Sequence, residues 1–164
     1  MSNPSEEIVK TFGHRLRVRV CGICIQDEKV LLVKHRYLGK EKHLWAPPGG
    51  GLQLGESAEE TLVREFREET GLEISLRRFL FVNEFLDLPL HAIELFFEVA
   101  IEGGVLGIGQ DPEMSAESQI IERVDFLSLA ELDAENPLQI HSIFHNIEKI
   151  SMILEKQGYY LAKN

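Results

Sequence analysis

Arg15, Arg17 and Arg19 alternate with Leu16, Val18 and Val20, and a two-residue period marks a strand with one basic and one apolar face. Asp27-Glu28-Lys29 reads as a turn into a second strand over 30–33, which runs on into Lys34, His35 and Arg36. Lys34 and Arg36 then share a face. A polar loop fills 37–42, and Trp45-Ala46-Pro47-Pro48-Gly49-Gly50-Gly51 is excluded from helix by two prolines and three glycines. A helix follows, with Ser57 as its N-cap, Glu60 completing a capping box and Gly71 suited to the left-handed position that ends it. Two extended stretches come next, about 73–86 and 91–101, separated at Pro89. In the second, Ile93, Leu95, Phe97, Val99 and Ile101 line one face, and Glu94 and Glu98 the other. A Gly-rich loop runs from Gly103 to Pro112; 120–127 reads as a strand, 128–132 as a helical turn, and 138–157 as a closing helix stopped by Gly158. The first dozen residues read as a polar lead. Strands and helices mixed without strict alternation predict a mixed sheet covered by helices, an α/β fold.

The 164 residues suffice for one domain with a sizeable core and are too few for two ordinary ones, so residues 1–164 are expected to form a single domain. No apolar run approaches membrane-spanning length. The opening MSNPSEEIVK is neither a secretory signal nor a transit peptide, so the expected location is the cytoplasm. A net charge of −10 argues against a duplex-DNA binder. Residues 10–42 nevertheless carry nine Lys/Arg against three Asp/Glu, while residues 56–69 carry six Glu against two Arg. A basic stretch followed by an acidic knot suits a small polyanion and its accompanying cations. Cys21 and Cys24 form a CxxC, but in a strand they point to opposite faces roughly 10 Å apart. That is too far for a disulfide, and no second pair completes a zinc site.

The helix after the glycines carries the chemistry. At about 100° per residue, Ala58, Leu62 and Phe66 form its apolar stripe, Glu65 and Glu69 fall on or beside that stripe, and Glu68 lies on their flank. A helix built only for stability would carry Leu or Ala at those positions. Like charges four apart cost a few tenths of a kcal/mol even in water, and more when partly buried unless a cation neutralises them. Clustered carboxylates beside a Gly-rich loop suit the hard cations Mg²⁺ or Mn²⁺ rather than zinc.

The wider spacing adds to that. Gly50, five residues, Glu56, seven residues, then Arg64-Glu65-Phe66-Arg67-Glu68-Glu69-Thr70-Gly71-Leu72 resembles the signature of the Nudix hydrolases, G-x5-E-x7-R-E-U-x-E-E-x-G-U, with U a bulky apolar residue. All seven fixed positions match; Phe66 stands where an aliphatic residue is more usual. With average residue usages, a chance match is on the order of 10⁻⁹ per start position. The resemblance implies an α/β/α sandwich with a mixed sheet and a loop–helix–loop catalytic motif. It also implies hydrolysis of a nucleoside diphosphate linked to another moiety, with Mg²⁺ or Mn²⁺: a nucleotide sugar, ADP-ribose, a dinucleotide or a (deoxy)nucleoside triphosphate. By position, Glu65 and Glu69 match the family's principal metal ligands and Glu68 a further one. Arg64 matches the residue that orients the neighbouring Glu, Glu56 the glutamate that supports the motif, and the Gly49 or Gly50 carbonyl the backbone ligand.

Other candidates lie outside the signature. Lys34, Arg36 and the face of Arg15, Arg17 and Arg19 are candidate phosphate contacts. The general base is Glu65, or a carboxylate outside the motif among Glu117, Glu122, Glu94 and Glu98. Trp45, Phe79, Phe81 and Phe85 could stack a base, although such residues more often build core. His141 and His145, at helical spacing, are expected in packing or surface roles. A catalytically silent sensor of the same fold is the alternative, and it would ordinarily have lost motif glutamates that this chain keeps. Isoprenoid diphosphate isomerisation would need a cysteine in a suitable loop, and both cysteines fall in the first strand. The first strand could also serve as a homodimer interface. The expected partner is a small-molecule nucleotide, not a membrane or duplex nucleic acid.

Overall fold

The computed structural model describes residues 3–163. In chain order the elements are α1 (Pro4–Phe12), β1 (Arg15–Ile23), β2 (Ile25–Gln26), β3 (Lys29–Arg36), β4 (His43–Ala46), β5 (Gly49–Gly51) and α2 (Ala58–Thr70). Then follow β6 (Leu72–Asp87), β7 (Leu90–Gly104), β8 (Ile121–Ser128), α3 (Leu129–Asp133) and β9 (Tyr159–Lys163). One sheet has the order β5-β1-β7-β6-β9; in the other, β3 pairs with β2, β4 and β8. The first sheet is mixed, because β1 runs parallel to β7 and β9 parallel to β6. Among the described residues no helix is long and apolar enough to cross a membrane.

Two cores flank the sheets. Leu62 and Phe66 of α2 pack on Val20, Cys24, Leu31, Leu72, Ile74 and Val99. On the other side Cys21, Trp45, Phe81 and Phe96 meet Leu132 of α3 and Ile140, Phe144, Ile150 and Ile153 of the C-terminal segment. This is the expected α/β/α sandwich. Cys21 lies in β1 and Cys24 just past its end, not within the strand as expected, and the two fall in different cores as free buried thiols.

The closing helix expected over 138–157 is not formed. Its place is taken by 3₁₀ turns at Pro137–Gln139, Ser142–Phe144 and Ile150–Glu155. His145 is extended, Asn146 has φ 59° and Lys149 is extended again, and each interrupts an α-helical ladder. A 3₁₀ turn places residues i and i+3 on one side, so the apolar spacing that reads as α-helix is satisfied without one. The chain then forms β9, an edge strand absent from the sequence reading. The polar lead is helical from Pro4. The Asn3 side chain accepts from the Ser5 N–H at 3.1 Å, and Pro4 occupies the first turn, where its missing donor costs nothing.

The Gly-rich loop has a defined task. A helix leaves its last four carbonyls without intrahelical partners. Those of α2 are taken by the N–H groups of Gly71 (to Arg67, 3.1 Å), Gln110 (to Glu68, 3.0 Å), Gly109 (to Glu69, 3.0 Å) and Gly107 (to Thr70, 2.9 Å). A Cβ at Gly109 would lie 1.8 Å from the Glu68 carbonyl oxygen, so only glycine lets the loop close on the helix. The loop thus anchors the acidic helix and delivers the residues after it to the same place.

Candidate active site

A cleft of about 810 Å³, counting the solvent at its mouth, opens where α2 meets the β5 and β1 strands of the first sheet. Glu65 and Glu69 line it together with Arg17, Arg19 and Glu94 from the first sheet and with His35, Leu44, Asp111 and Glu113. Phe12 of α1 and Phe85 of β6 add apolar surface.

Helical spacing sets Glu65 and Glu69 on successive turns, and both are buried. Gly50 lies directly over the first, since a Cβ there would sit 2.1 Å from Glu65 Oε1. The Gly49 N–H donates to Glu69 Oε2 at 2.9 Å. Arg64 ties the motif together. Its Nε and Nη2 donate to the two oxygens of Glu56 at 2.9 and 3.0 Å, and its Nη1 reaches Glu65 Oε1 at 2.8 Å and Glu68 Oε2 at 3.1 Å. Thr61 Oγ1 also donates to Glu56, at 3.0 Å. These bonds hold the Glu56 carboxyl below the usual range, Arg64 first among them. Glu65 is the opposite: burial, and then the Glu69 charge, push it up to about 8 against the pull of Arg64.

Such a pair carries more negative charge than its surroundings neutralise, which is the condition a bound cation relieves. Among the described residues no three His, Cys, Asp or Glu side chains are already gathered as a metal cage; Glu65 and Glu68 turn to Arg64, and Glu69 to the Gly49 amide. The donor set nevertheless fits a hard divalent cation, because it is all oxygen, buried and short of positive charge.

On the sheet side, Arg19 Nη2 donates to the Gly49 carbonyl at 3.1 Å and Nη1 to Glu94 Oε1 at 3.3 Å. Glu94 Oε2 takes Asn83 Nδ2 and His141 Nε2, each at 2.9 Å. Burial alone would raise the Glu94 carboxyl, but His141, Arg19 and Asn83 outweigh it and hold it below the ordinary range. A carboxylate engaged in this way is not free to take a proton, so Glu94 leaves the set of candidate bases.

The structure divides the remaining expectations. The Arg17 and Arg19 side of β1 does face the cleft, whereas Arg15 bonds back to the Thr11 carbonyl. Lys34 and Arg36 do share a face, but it is the one away from the cleft. Lys34 pairs across the strands with Trp45 and lies 5.5 Å over its ring. Trp45 is core, 1% exposed, and does not line the cleft. Glu122 is engaged with His43 at 3.0 Å and Arg36 at 4.0 Å. Glu98 is paired with Arg78 at 2.7 Å, and neither Glu98, Glu117 nor Glu122 lines the cleft. Phe85 lines it, while Phe81 stacks on Phe96 in the core and Phe79 is half exposed outside it. His141 is buried on Glu94, and His145 is exposed, its Nε2 3.0 Å from the Pro137 carbonyl. Neither cysteine lines the cleft.

Several cleft residues escaped the sequence reading, His35, Asp111, Glu113 and Phe12 among them. His35 is buried, its Nε2 3.8 Å from Glu69 Oε1. It lies on the strand face of Leu31 and Val33, and extending that apolar face by one position would have found it. Asp111 and Glu113 follow the loop that caps α2. The Asp111 backbone is clamped by the Gln119 side chain, which accepts its N–H at 2.7 Å and donates to its carbonyl at 2.9 Å. Burial raises the Asp111 carboxyl. Phe12 carries Arg17 over its ring at 4.2 Å, and the spacing of Ile8 and Phe12 was its signal.

A family model for the NUDIX domain matches residues 14–145. Over 96 residues the chain is 38% identical to an ADP-ribose pyrophosphatase of Methanocaldococcus jannaschii, a stretch that is 57% of this chain and 56% of that protein. The match thus spans about half the length of that relative. Among solved structures, a MutT NUDIX hydrolase from Burkholderia pseudomallei superposes with a TM-score of 0.60 at 25% identity, covering 87% of this chain and 98% of the other. An ADP-ribose pyrophosphatase from Streptococcus suis, at 20% identity and a TM-score of 0.57 over 87% of this chain and 98% of that one, shares the fold.

Proposed function

The chain belongs to the Nudix family, and on that premise we propose that it is a pyrophosphohydrolase, dependent on Mg²⁺ or Mn²⁺, that cleaves a nucleoside diphosphate linked to a second moiety. ADP-ribose stands first among the substrates, because the archaeal relative bears that name. The observation that carries the reading is the pair Glu65 and Glu69, buried on successive turns beneath Gly49 and Gly50 with too little positive charge around them. These two glutamates, with Glu68 and the Gly50 carbonyl, would hold the cation. When bound, such a cation lowers the pKa of a water and draws charge off the diphosphate oxygens.

The chain's own residues do the rest. Arg64, braced on Glu56, keeps Glu65 and Glu68 aimed along the helix. Arg17 and Arg19 offer positive charge to the diphosphate from the sheet side. For proton transfer the cleft supplies Glu65 and, from the capped loop, Asp111 and Glu113, which replace Glu117 and Glu122 in that role. The apolar surface of Phe12, Leu44 and Phe85 suits the base or the sugar. Self-association through the exposed Leu16 and Val18 of β1 belongs to the same reading, and sedimentation velocity tests it.

The deciding experiment is chromatographic detection of products from ADP-ribose, nucleotide sugars, dinucleotides and nucleoside triphosphates, with Mg²⁺ and then with EDTA. Cleavage that requires the metal is the expected result. Turnover that survives thorough chelation would overturn the mechanism, and binding without cleavage across the panel would favour a sensor.

A further inference from the structure

The hydrolytic reading gives Arg19 a charge to offer but leaves the buried group behind it, Glu94 with His141 and Asn83, without a task. Glu94 is 1% exposed and His141 3%, and with Asn83 and Arg19 they form a hydrogen-bonded group beside the acidic helix. A buried ion cluster is a poor way to stabilise a core, since well-packed apolar residues of the same volume often do as well or better. The cluster does not end in the core. Arg19 uses Nη1 on Glu94 and Nη2 on the Gly49 carbonyl, and Gly49 in turn gives its N–H to Glu69. The contacts run unbroken from His141 through Glu94, Arg19 and Gly49 to Glu69. Gly49 is the joint of that line. It opens β5 opposite Cys21 of β1 with φ +153°, and a Cβ there would fall 2.1 Å from the Val20 carbonyl oxygen. The Arg19 bond to its carbonyl adds a side-chain tie to that strand pairing at the residue whose amide holds the Glu69 carboxylate.

We propose that Glu94 is a positioning residue for the cation site: held by His141 and Asn83, it sets the Arg19 guanidinium, which fixes Gly49 and so the Glu69 carboxylate. The inference rests on the reading of Glu65 and Glu69 as cation ligands. Outer partners of a metal ligand typically contribute 10- to 100-fold in affinity, and residues acting along one line are not additive.

Mn²⁺ titrated into the full chain, with free Mn²⁺ read by electron paramagnetic resonance and folding by circular dichroism, tests both levels. Wild-type binding that is lost in Glu69→Gln is the expected baseline. A wild type that binds no Mn²⁺, or a Glu69→Gln variant that binds as well as wild type, overturns the ligand reading and this inference with it. With that baseline met, Glu94→Gln and Arg19→Lys should each weaken binding by about 10-fold or more, and the double variant should bind no worse than the poorer single. If Glu94→Gln fails to fold, Arg19→Lys decides, because its side chain is 23% exposed and keeps its charge. Either folded variant binding Mn²⁺ as wild type does, or losses that add in the double variant, would overturn the positioning role while leaving the ligand reading intact.

Discussion

Glu65 and Glu94 are both buried glutamates on the walls of one cleft, yet their electrostatics are opposite. Glu94 accepts from a guanidinium, an imidazole and an amide, and its carboxyl is held below the ordinary range. Among the described residues Glu65 has one cationic hydrogen-bond partner, Arg64, shared with Glu56 and Glu68, and it lies beside the like charge of Glu69; its carboxyl is pushed up to about 8, first by burial and then by that neighbour. Burial alone does not tell a strut from a ligand. What separates them is the number of donors the fold has already supplied. A saturated carboxylate holds the groups around it in place, and on the proposed reading an under-supplied one takes its missing charge from a cation.

The comparison breaks most decisively at Glu69. Glu69→Gln should lower turnover by about 10³-fold, the scale of losing a preorganised electrostatic group. It should leave the metal-free melting temperature unchanged or slightly raised, because it removes a like-charge neighbour from Glu65. Steady-state rates and a thermal melt on the same preparation check this, and a folded variant that keeps its turnover would end the ligand assignment. Glu94→Gln should do the reverse in the melt. Removing one charge from a buried pair costs about 3 kcal/mol or more, which for a chain of this size is roughly a 6–12 °C drop.

A smaller effect separates the two by pH. Glu65 is raised in the folded state, so its contribution to metal-free stability is fully present below the usual carboxylate range and is lost as pH rises through about 8. Glu94 is depressed, so its contribution is present at neutral pH and is lost on acidification below the ordinary range. A cation must displace the Glu65 proton at low pH and meets a carboxylate at high pH. Saturating Mg²⁺ should therefore raise the melting temperature more at about pH 9 than at about pH 6, by a few degrees. Equal increments at both would show that Glu65 is not the group the cation binds.

The signature helix was legible because every cue was local: the Ser57–Glu60 cap, the apolar stripe of Leu62 and Phe66, and glutamates where a stripe would continue. Strand parity was half legible. Alternation shows that Arg17 and Arg19 share a face, as do Lys34 and Arg36, but not which face meets the glutamates. That depends on the core, where Leu31 packs with the α2 residues and Leu32 with Trp45, and it puts His35 in the cleft and Lys34 outside. The C-terminal segment was misread because Ile140, Ile143, Ile150 and Ile153 keep an i, i+3 spacing that α-helices and 3₁₀ turns share. Asp111 was illegible for a different reason. Asp111 reaches the cleft only because the loop before it closes on the end of α2, a tertiary contact with no periodic trace.

The same donor count applies to the cations, with the smallest effects. Arg17 is pushed down to about 10, by burial first and then by Arg19. Its one carboxylate contact within 4 Å among the described residues is Glu113, at 3.5 Å. It is the cationic counterpart of Glu65, a charge short of partners inside the cleft. Arg36 lies outside, half exposed and 4.0 Å from Glu122. Arg17→Ala should raise KM for the diphosphate substrate about 10-fold, the worth of one charge-assisted hydrogen bond, with a lesser change in kcat. Arg36→Ala and Lys34→Ala should stay within about twofold of wild type, as surface charges do. If Arg36→Ala proved as costly as Arg17→Ala, the substrate would extend out of the cleft onto the outer face of β3, and strand parity would no longer divide the cations that meet it from those that do not.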